Sequence, residues 1–224
     1  MIHLLKDKVA LVASHYDSVT LSVTRLFLQQ GASVIVISNS QPAFLKDALE
    51  PADQNRWMWL QADLANPVEA RYCASEAVKR FGRADILFYY PNAEENSSFA
   101  PVGQSSEHAI ITHAQSIWTQ LVATLAPLRN SPSSNVIVVA DTSTNVELSH
   151  VGEVQTEGHS VRIDLINARQ SYQPKRQQSL TSHKQLTPER IARLSLSVLV
   201  KEKQEEVEWN EVLSWTSEYL DSAF

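Results

Sequence analysis

Residues 8–38, KVALVASHYDSVTLSVTRLFLQQGASVIVIS, limit what the chain can fold into more tightly than any other stretch. Val9, Ala10, Leu11 and Val12 make a short apolar run, and a second run, Val34 to Ile37, follows a helical stretch that closes at Gly31. Continuous rather than alternating apolar character belongs to a strand buried on both faces of a parallel sheet. Strand, turn, helix, turn and strand together give a βαβ unit, the opening of a doubly wound α/β fold.

Composition agrees with a single domain over residues 1–224, with 43% hydrophobic residues to fill its core. Glycine is scarce. The chain has five, where average usage would give roughly sixteen, so the glycine turns that handle phosphates in such folds are depleted. The formal charge of -6 comes with no basic tract, which argues against a nucleic-acid partner. One cysteine, Cys73, excludes an intramolecular disulfide, fits a reducing compartment, and reads as a buried thiol. The start MIHLLKDK has no long apolar core or cleavage site, and no apolar run is long enough to span a bilayer. The expectation is a cytoplasmic protein with no membrane partner.

Along the chain, the first helix is expected to begin at Ser18 or Thr20, whose hydroxyls suit a cap. Residues 42–50 read as a short helix and RWMWLQADL as a third strand. The next helix is well marked: Asn66 caps it, Pro67 takes its first position, Glu69 completes a capping box and Gly82 ends it. Val68, Tyr72, Ala77, Val78 and Phe81 are its expected buried stripe. Strand four covers 85–89 and runs into Tyr89, Tyr90, Pro91 and Asn92. A polar loop over 93–104 leads to a long helix from about Ser106, with Ile110, Ala114, Ile117, Leu121 and Leu125 on one face. NVIVVA, residues 135–140, is strand five. Residues 169–186 are rich in Gln and Ser and read as a flexible surface loop. Thr187-Pro188 opens a helix to about Val200, and 204–220 reads as an acidic amphipathic helix.

These pieces resemble the short-chain dehydrogenase/reductase family. LKDKVALV, QQGASVIVIS, Asp63-Leu64, FGRADIL, NVIVVA and SVRIDLINARQS stand where that family has its strands and connections, and the likeness runs from Leu4 to about Val200. It implies a three-layer doubly wound parallel sheet, Rossmann-like, of six strands. The catalytic motifs depart from the family. Where it has T-G-x-x-x-G-x-G, this chain has Ala13, Ser14, Ser18 and Thr20, so each glycine carries a Cβ. Those glycines let the backbone approach a pyrophosphate seated on the helix N-terminus. After strand two stand Ser38, Asn39 and Ser40, with neither an acid for a ribose nor a base for a 2′-phosphate. The family's helix Asn falls on His113 or Ala114, and its catalytic serine on Thr142 or Ser143.

The family's Tyr-x-x-x-Lys pair occurs nowhere in the chain. From Thr142 to Val161 is too short for the usual loop and long helix, so the active-site helix is expected to be shortened or deleted. A second alignment puts Gln155 and His159 at the Tyr and Lys positions and loses the sixth strand instead. The vestigial cofactor positions are Ser14, Ser18, Ser38 and Asp63. No catalytic or metal residues are assigned.

The resulting expectation is a protein without dehydrogenase activity, a binding or scaffolding subunit that forms a homo-oligomer or sits beside a partner protein, with no cofactor. Two alternatives stand: an NAD(P)-dependent oxidoreductase with a nonstandard site using Thr142 or Ser143, and a small-ligand sensor whose open crevice is lined by Ser14, Asp63 and Tyr89. A Ser-His-Asp hydrolase drawn from Ser14, His15, Asp63, Asp141 and Thr142 lacks G-x-S-x-G and ranks last.

Overall fold

The computed structural model describes residues 3–14, 17–39, 45, 49, 53–63, 66–91, 111, 114, 133–140, 148–156, 159–172 and 182–201. The apolar runs form the expected strands: β1 (Val9–Ser14), β2 (Ser33–Ser38), β3 (Trp57–Gln61), β4 (Ile86–Tyr90), β5 (Ser133–Ala140) and β7 (His159–Asn167). Between β5 and β7 lies β6 (Leu148–Thr156), and a short pair, β8 (Arg169–Tyr172) and β9 (Ser182–Gln185), follows β7. Helices are α1 (Asp17–Gln29), α2 (Pro67–Phe81) and α3 (Pro188–Lys201).

The main sheet has the order β3-β2-β1-β4-β5-β7-β6. Its first six strands are parallel, as doubly wound connections require. The expected count of six is corrected to seven, because β6 adds an antiparallel edge strand paired to β7 from Leu148↔Ile166 to Thr156↔His159. The stretch where the second alignment required a helix bearing Gln155 and His159 is this hairpin, so that alignment falls and the one with β7 as sixth parallel strand stands. The backbone groups of β6 that face β7 are paired in this ladder instead of within a helix.

Each face of the sheet carries its own core. Ala10, Val12, Val34, Val36, Phe88, Ile137 and Ile166 meet Phe27 of α1 and Ile191 and Leu196 of α3 on one side. Leu11, Ile35, Leu87, Val138 and Ile163 meet Ala70, Cys73, Ala74 and Ala77 of α2 on the other. The inward stripe of α2 is therefore built from small residues, which let the helix approach the strands closely. Val68 and Tyr72, expected inside, are 65% and 49% exposed. Ala77 of the expected stripe is buried and Phe81 packs against this core, while the alanines, spaced at i, i+4 and i+7, mark the centre of the inward face in place of Val68 and Tyr72.

The ends of α2 follow the sequence signals. Asn66 Oδ1 accepts from the Val68 N–H at 3.0 Å, and Gly82, at φ 79°, donates its N–H to the Val78 carbonyl. The left-handed conformation at Gly82 is one that a residue with a Cβ adopts only under strain. Helix α1 begins at Asp17, one residue ahead of the expected Ser18, and Thr20 is buried within it instead of capping it. At the other end of α1, Arg56 donates to the Leu28 and Ala32 carbonyls at 2.8 and 3.3 Å and pairs with Asp53, tying the helix terminus to the start of β3.

The loop expected over 169–186 is corrected at both ends, where β8 and β9 pair antiparallel from Arg169↔Gln185 to Tyr172↔Ser182. Of the long helix from about Ser106, Ile111 and Ala114 are described, helical and buried. The expected helix 204–220 lies outside the described residues, as do all but Leu45 and Leu49 of 42–50.

Candidate functional site

In an open doubly wound sheet the binding crevice lies beyond the carboxyl ends of the strands, where the strand order reverses. Here that point falls between β1 and β4. Ser14 ends β1 in register with Tyr90, the last residue of β4. Ser18 is exposed in the first turn of α1, Ser38 ends β2, and Asp63 stands two residues past β3. The topology thus brings all four sequence-assigned positions to one edge of the sheet. Thr142 and Ser143, the positions matching the family's serine, lie outside the described residues, as do His15, His113 and Asp141.

Several groups at this edge are engaged within the protein. The Trp59 indole N–H, from β3, donates to Ser38 Oγ at 2.8 Å. Glu69 reaches back across the α2 cap, accepting from the Asp63 backbone N–H at 2.6 Å through Oε2 and from Asn66 Nδ2 at 3.0 Å through Oε1. An ionised carboxylate on an N–H is among the stronger hydrogen bonds a backbone makes, so the Asp63 amide is held by the chain's own acid. Asp63 closes this cap further by accepting from the Asn66 N–H at 3.0 Å. The backbone of Asp63 therefore serves a helix terminus, the structural role open to a strand-end aspartate.

The aromatic residues at the end of β4 are taken up by the core. Tyr89 and Tyr90, being consecutive in a strand, point to opposite faces and join opposite cores. Pro91 follows, also buried. Tyr89 therefore does not line an open crevice, as the sensor reading requires.

A dinucleotide needs backbone close to its pyrophosphate and donors left for its phosphates. Ser14, Ser18 and Thr20 carry side chains where close approach calls for glycine, and the Asp63 amide is occupied. These residues do not fit the family's dinucleotide cradle.

Residues that the sequence reading passed over form a second polar cluster, on β6 and β7. Asp164 is 1% exposed. Arg162 grips its carboxylate with two bonds, Nε to Oδ2 at 2.7 Å and a terminal nitrogen to Oδ1 at 3.1 Å, and His150 Nδ1 lies 3.2 Å from Oδ1. His150 and Asp164 are direct cross-strand partners, so this buried carboxylate pins the hairpin register. A second buried acid, Asp85, also 1% exposed, accepts from the Val9 N–H at 2.9 Å and pairs with Lys8 and Arg83 at the amino end of β1 and β4. The Asp in FGRADIL was legible as a family match; its pairing was not. Asp164 had one available signal, a charged residue inside an apolar strand, which requires a partner when buried.

Burial pushes the Cys73 thiol up to about 12, with the Glu69 carboxylate adding to the shift. A thiol held protonated is neither a nucleophile nor a metal ligand. Among the described residues no group of three or more His, Cys, Asp or Glu is placed to hold a metal ion. No helix among them is long and apolar enough to cross a membrane.

No family model matches the chain. By sequence it is 30% identical over 111 residues to the peroxisomal 2,4-dienoyl-CoA reductase ((3E)-enoyl-CoA-producing) of Pongo abelii, and 27% identical over 111 residues to that of Rattus norvegicus. Each match covers 49% of this chain and 37% of the reductase, so the chain spans well under half the length of these relatives. Similar solved structures include a short-chain dehydrogenase/reductase (glucose/ribitol dehydrogenase) from Brucella melitensis, at TM-score 0.45 and 17% identity over 63% of this chain and 59% of that one. A short-chain dehydrogenase/reductase of Serratia marcescens carrying two substitutions gives 0.47 and 17% over 64% and 59%.

The fold defines a doubly wound α/β protein whose strand order reverses between β1 and β4. Over about half of its length the chain is similar to these reductases, and its strands and connections resemble those of the short-chain dehydrogenase/reductases.

Proposed function

We propose that this relative of the oxidoreductases works without their hydride-transfer chemistry, as a binding or scaffolding subunit, either self-associated or beside an active relative. One observation carries the reading: the segment that precedes the sixth parallel strand, where the family places the helix with its tyrosine and lysine, is the antiparallel strand β6. Proton transfer at a carbonyl needs an acid of tuned pKa held at the reacting atom, and neither a Tyr-x-x-x-Lys pair nor a helix to present one stands there. The engaged Ser38 and Asp63 groups support the same reading.

The similarity to 2,4-dienoyl-CoA reductases favours a second reading, an NAD(P)-dependent oxidoreductase with a nonstandard site that employs Thr142 or Ser143. Following the absorbance of NADH and NADPH over carbonyl and enoyl-thioester substrates separates the two. The first reading expects no turnover above buffer; turnover lost on Thr142→Ala or Ser143→Ala would replace it with the second. On its cysteine content we place the protein in a reducing compartment, the cytoplasm. The name of its relatives raises the peroxisome instead, and imaging the tagged full chain decides between them.

A further inference from the structure

We propose that residues 204–220, which follow the described end of α3, fold back as an antiparallel helix over the outer face of α3 and cover it with their own apolar stripe. The inference is independent of the chemistry at the β1–β4 edge and starts from α3 itself. A helix laid on a sheet keeps one exposed stripe. From Ser195 to Val200, however, six consecutive residues of α3 are buried, which takes in every direction around its axis. Among the described elements, α3 packs on α1 beside it and on β7 beneath it. Its outward stripe is Arg190, Arg193, Leu194 and Ser197, at i, i+3, i+4 and i+7. Arg190 is exposed, Arg193 and Leu194 are half-buried, and Ser197 is 7% exposed. The cover thus thickens toward Lys201, where the following residues leave the helix.

The stripe also defines what can cover it. Ser195 donates to the Ile191 carbonyl and Ser197 to the Leu194 carbonyl, both at 2.8 Å, so an apolar cover leaves neither hydroxyl unsatisfied. Arg193 Nε is buried with no hydrogen-bond partner among the described residues, and a buried cation calls for an acid. Residues 204–220 carry both characters. Trp209, Val212, Trp215 and Tyr219 recur at helical spacing, with Glu211 and Glu218 on their flank. The link at 202–203 is short, and helices so joined lie antiparallel. As a helix the segment is ~25 Å long, against ~21 Å for α3. In this register Leu194 comes level with Val212, the small Ser197 with the large Trp209, and Arg193 falls within one turn of Glu211. With α3 closed by its own chain, any partner of the binding subunit has to use another face.

Two measurements on the full chain test this. Amides 209–220 of the native protein are expected to exchange about a hundredfold more slowly than in a free peptide, equally at low and high protein concentration. Ser197→Cys places a thiol under the cover. It is expected to label slowly, and about tenfold faster once Val212→Lys is added. Cys73, buried on the opposite face of the sheet, reports the fold by staying unlabelled while α3 opens. Should Val212→Lys expose Cys73 as well, the milder Val212→Ser takes its place. Unprotected amides over 209–220 overturn the proposal. So does Ser197→Cys labelling that is fast without the second substitution or indifferent to it, and so does protection that is lost on dilution, which assigns the cover to a second copy.

Discussion

The two halves of the sheet use the same strand chemistry to different ends. From β1 to β4 the described β1–β2 and β3–β4 connections each place a helix against a face, and all neighbouring strands run parallel. From β5 to β7 the connection is a hairpin, and the sheet gains an antiparallel edge where a helix would have covered it. Packing tolerates this exchange because β7 keeps its parallel place beside β5 and its buried Val161, Ile163 and Leu165 whichever element precedes it. The proposed loss of hydride transfer is argued from the same exchange. A catalytic pair one helical turn apart has no equivalent on a strand, whose successive side chains point to opposite faces. A fold can thus persist where its activity depends on a single connection.

Each half is pinned by one buried aspartate, and the two differ in their partners. Asp164→Ala is expected to cost about 3–5 kcal/mol, because it leaves the largely buried Arg162 guanidinium without its counter-charge. Asp85→Ala is expected to cost less, about 1.5–3 kcal/mol, since Lys8 and Arg83 both reach solvent and the main loss is the charged hydrogen bond to Val9. Urea unfolding of both variants checks the order. Equal costs would mean that the hairpin is no more dependent on its buried ion pair than the βαβ half is on Asp85.

Within α2 the contrast is between its cap and its outer face. Asn66→Ala is expected to lose about 1 kcal/mol through the freed Val68 N–H. Val68→Ser and Tyr72→Ser, on exposed positions, should each stay within about 0.5 kcal/mol of the native protein. Losses of several kcal/mol at those two sites would restore the buried stripe that the helical periodicity first suggested.

A smaller effect concerns Cys73. Its folded thiol is raised from an ordinary value of 9.0 to about 12, so the native state prefers the protonated form. The stability this contributes is fully present below pH 9 and is lost as pH rises towards 12. A thiolate-seeking reagent at neutral pH should accordingly label Cys73 only as fast as the chain opens. Rapid stoichiometric labelling of the folded protein would contradict the burial.

Much of the fold was legible in the sequence because its signals are local. The parallel strands announced themselves as apolar runs, and Asn66, Pro67 and Gly82 marked the limits of α2 correctly. What escaped was set by tertiary context. The small inward residues of α2 carry little hydrophobic signal, and the helix is placed by the closeness they allow. β6, LSHVGEVQT, is polar and bulged, so it shows no clean two-residue period; the Glu157-Gly158 step between β6 and β7 was the one hairpin signal present. β8 and β9 are polar throughout and read as loop for the same reason.

At the candidate site, residue identities gave the missing glycines and the missing Tyr-x-x-x-Lys directly. They did not give the long-range contacts that engage Ser38 through Trp59, nor the reach of Glu69 back to Asp63. Such bonds depend on strand register, which residue spacing alone leaves open.

The central claim, that the crevice no longer serves a nicotinamide cofactor, is tested most directly by titrating the purified full chain with NADH and NADPH while following nicotinamide fluorescence and melting temperature. The account predicts no saturable signal and no shift at millimolar cofactor. A single site with a micromolar dissociation constant, raising stability by about 2.7 kcal/mol at a hundredfold excess of ligand, would contradict it and restore the oxidoreductase reading.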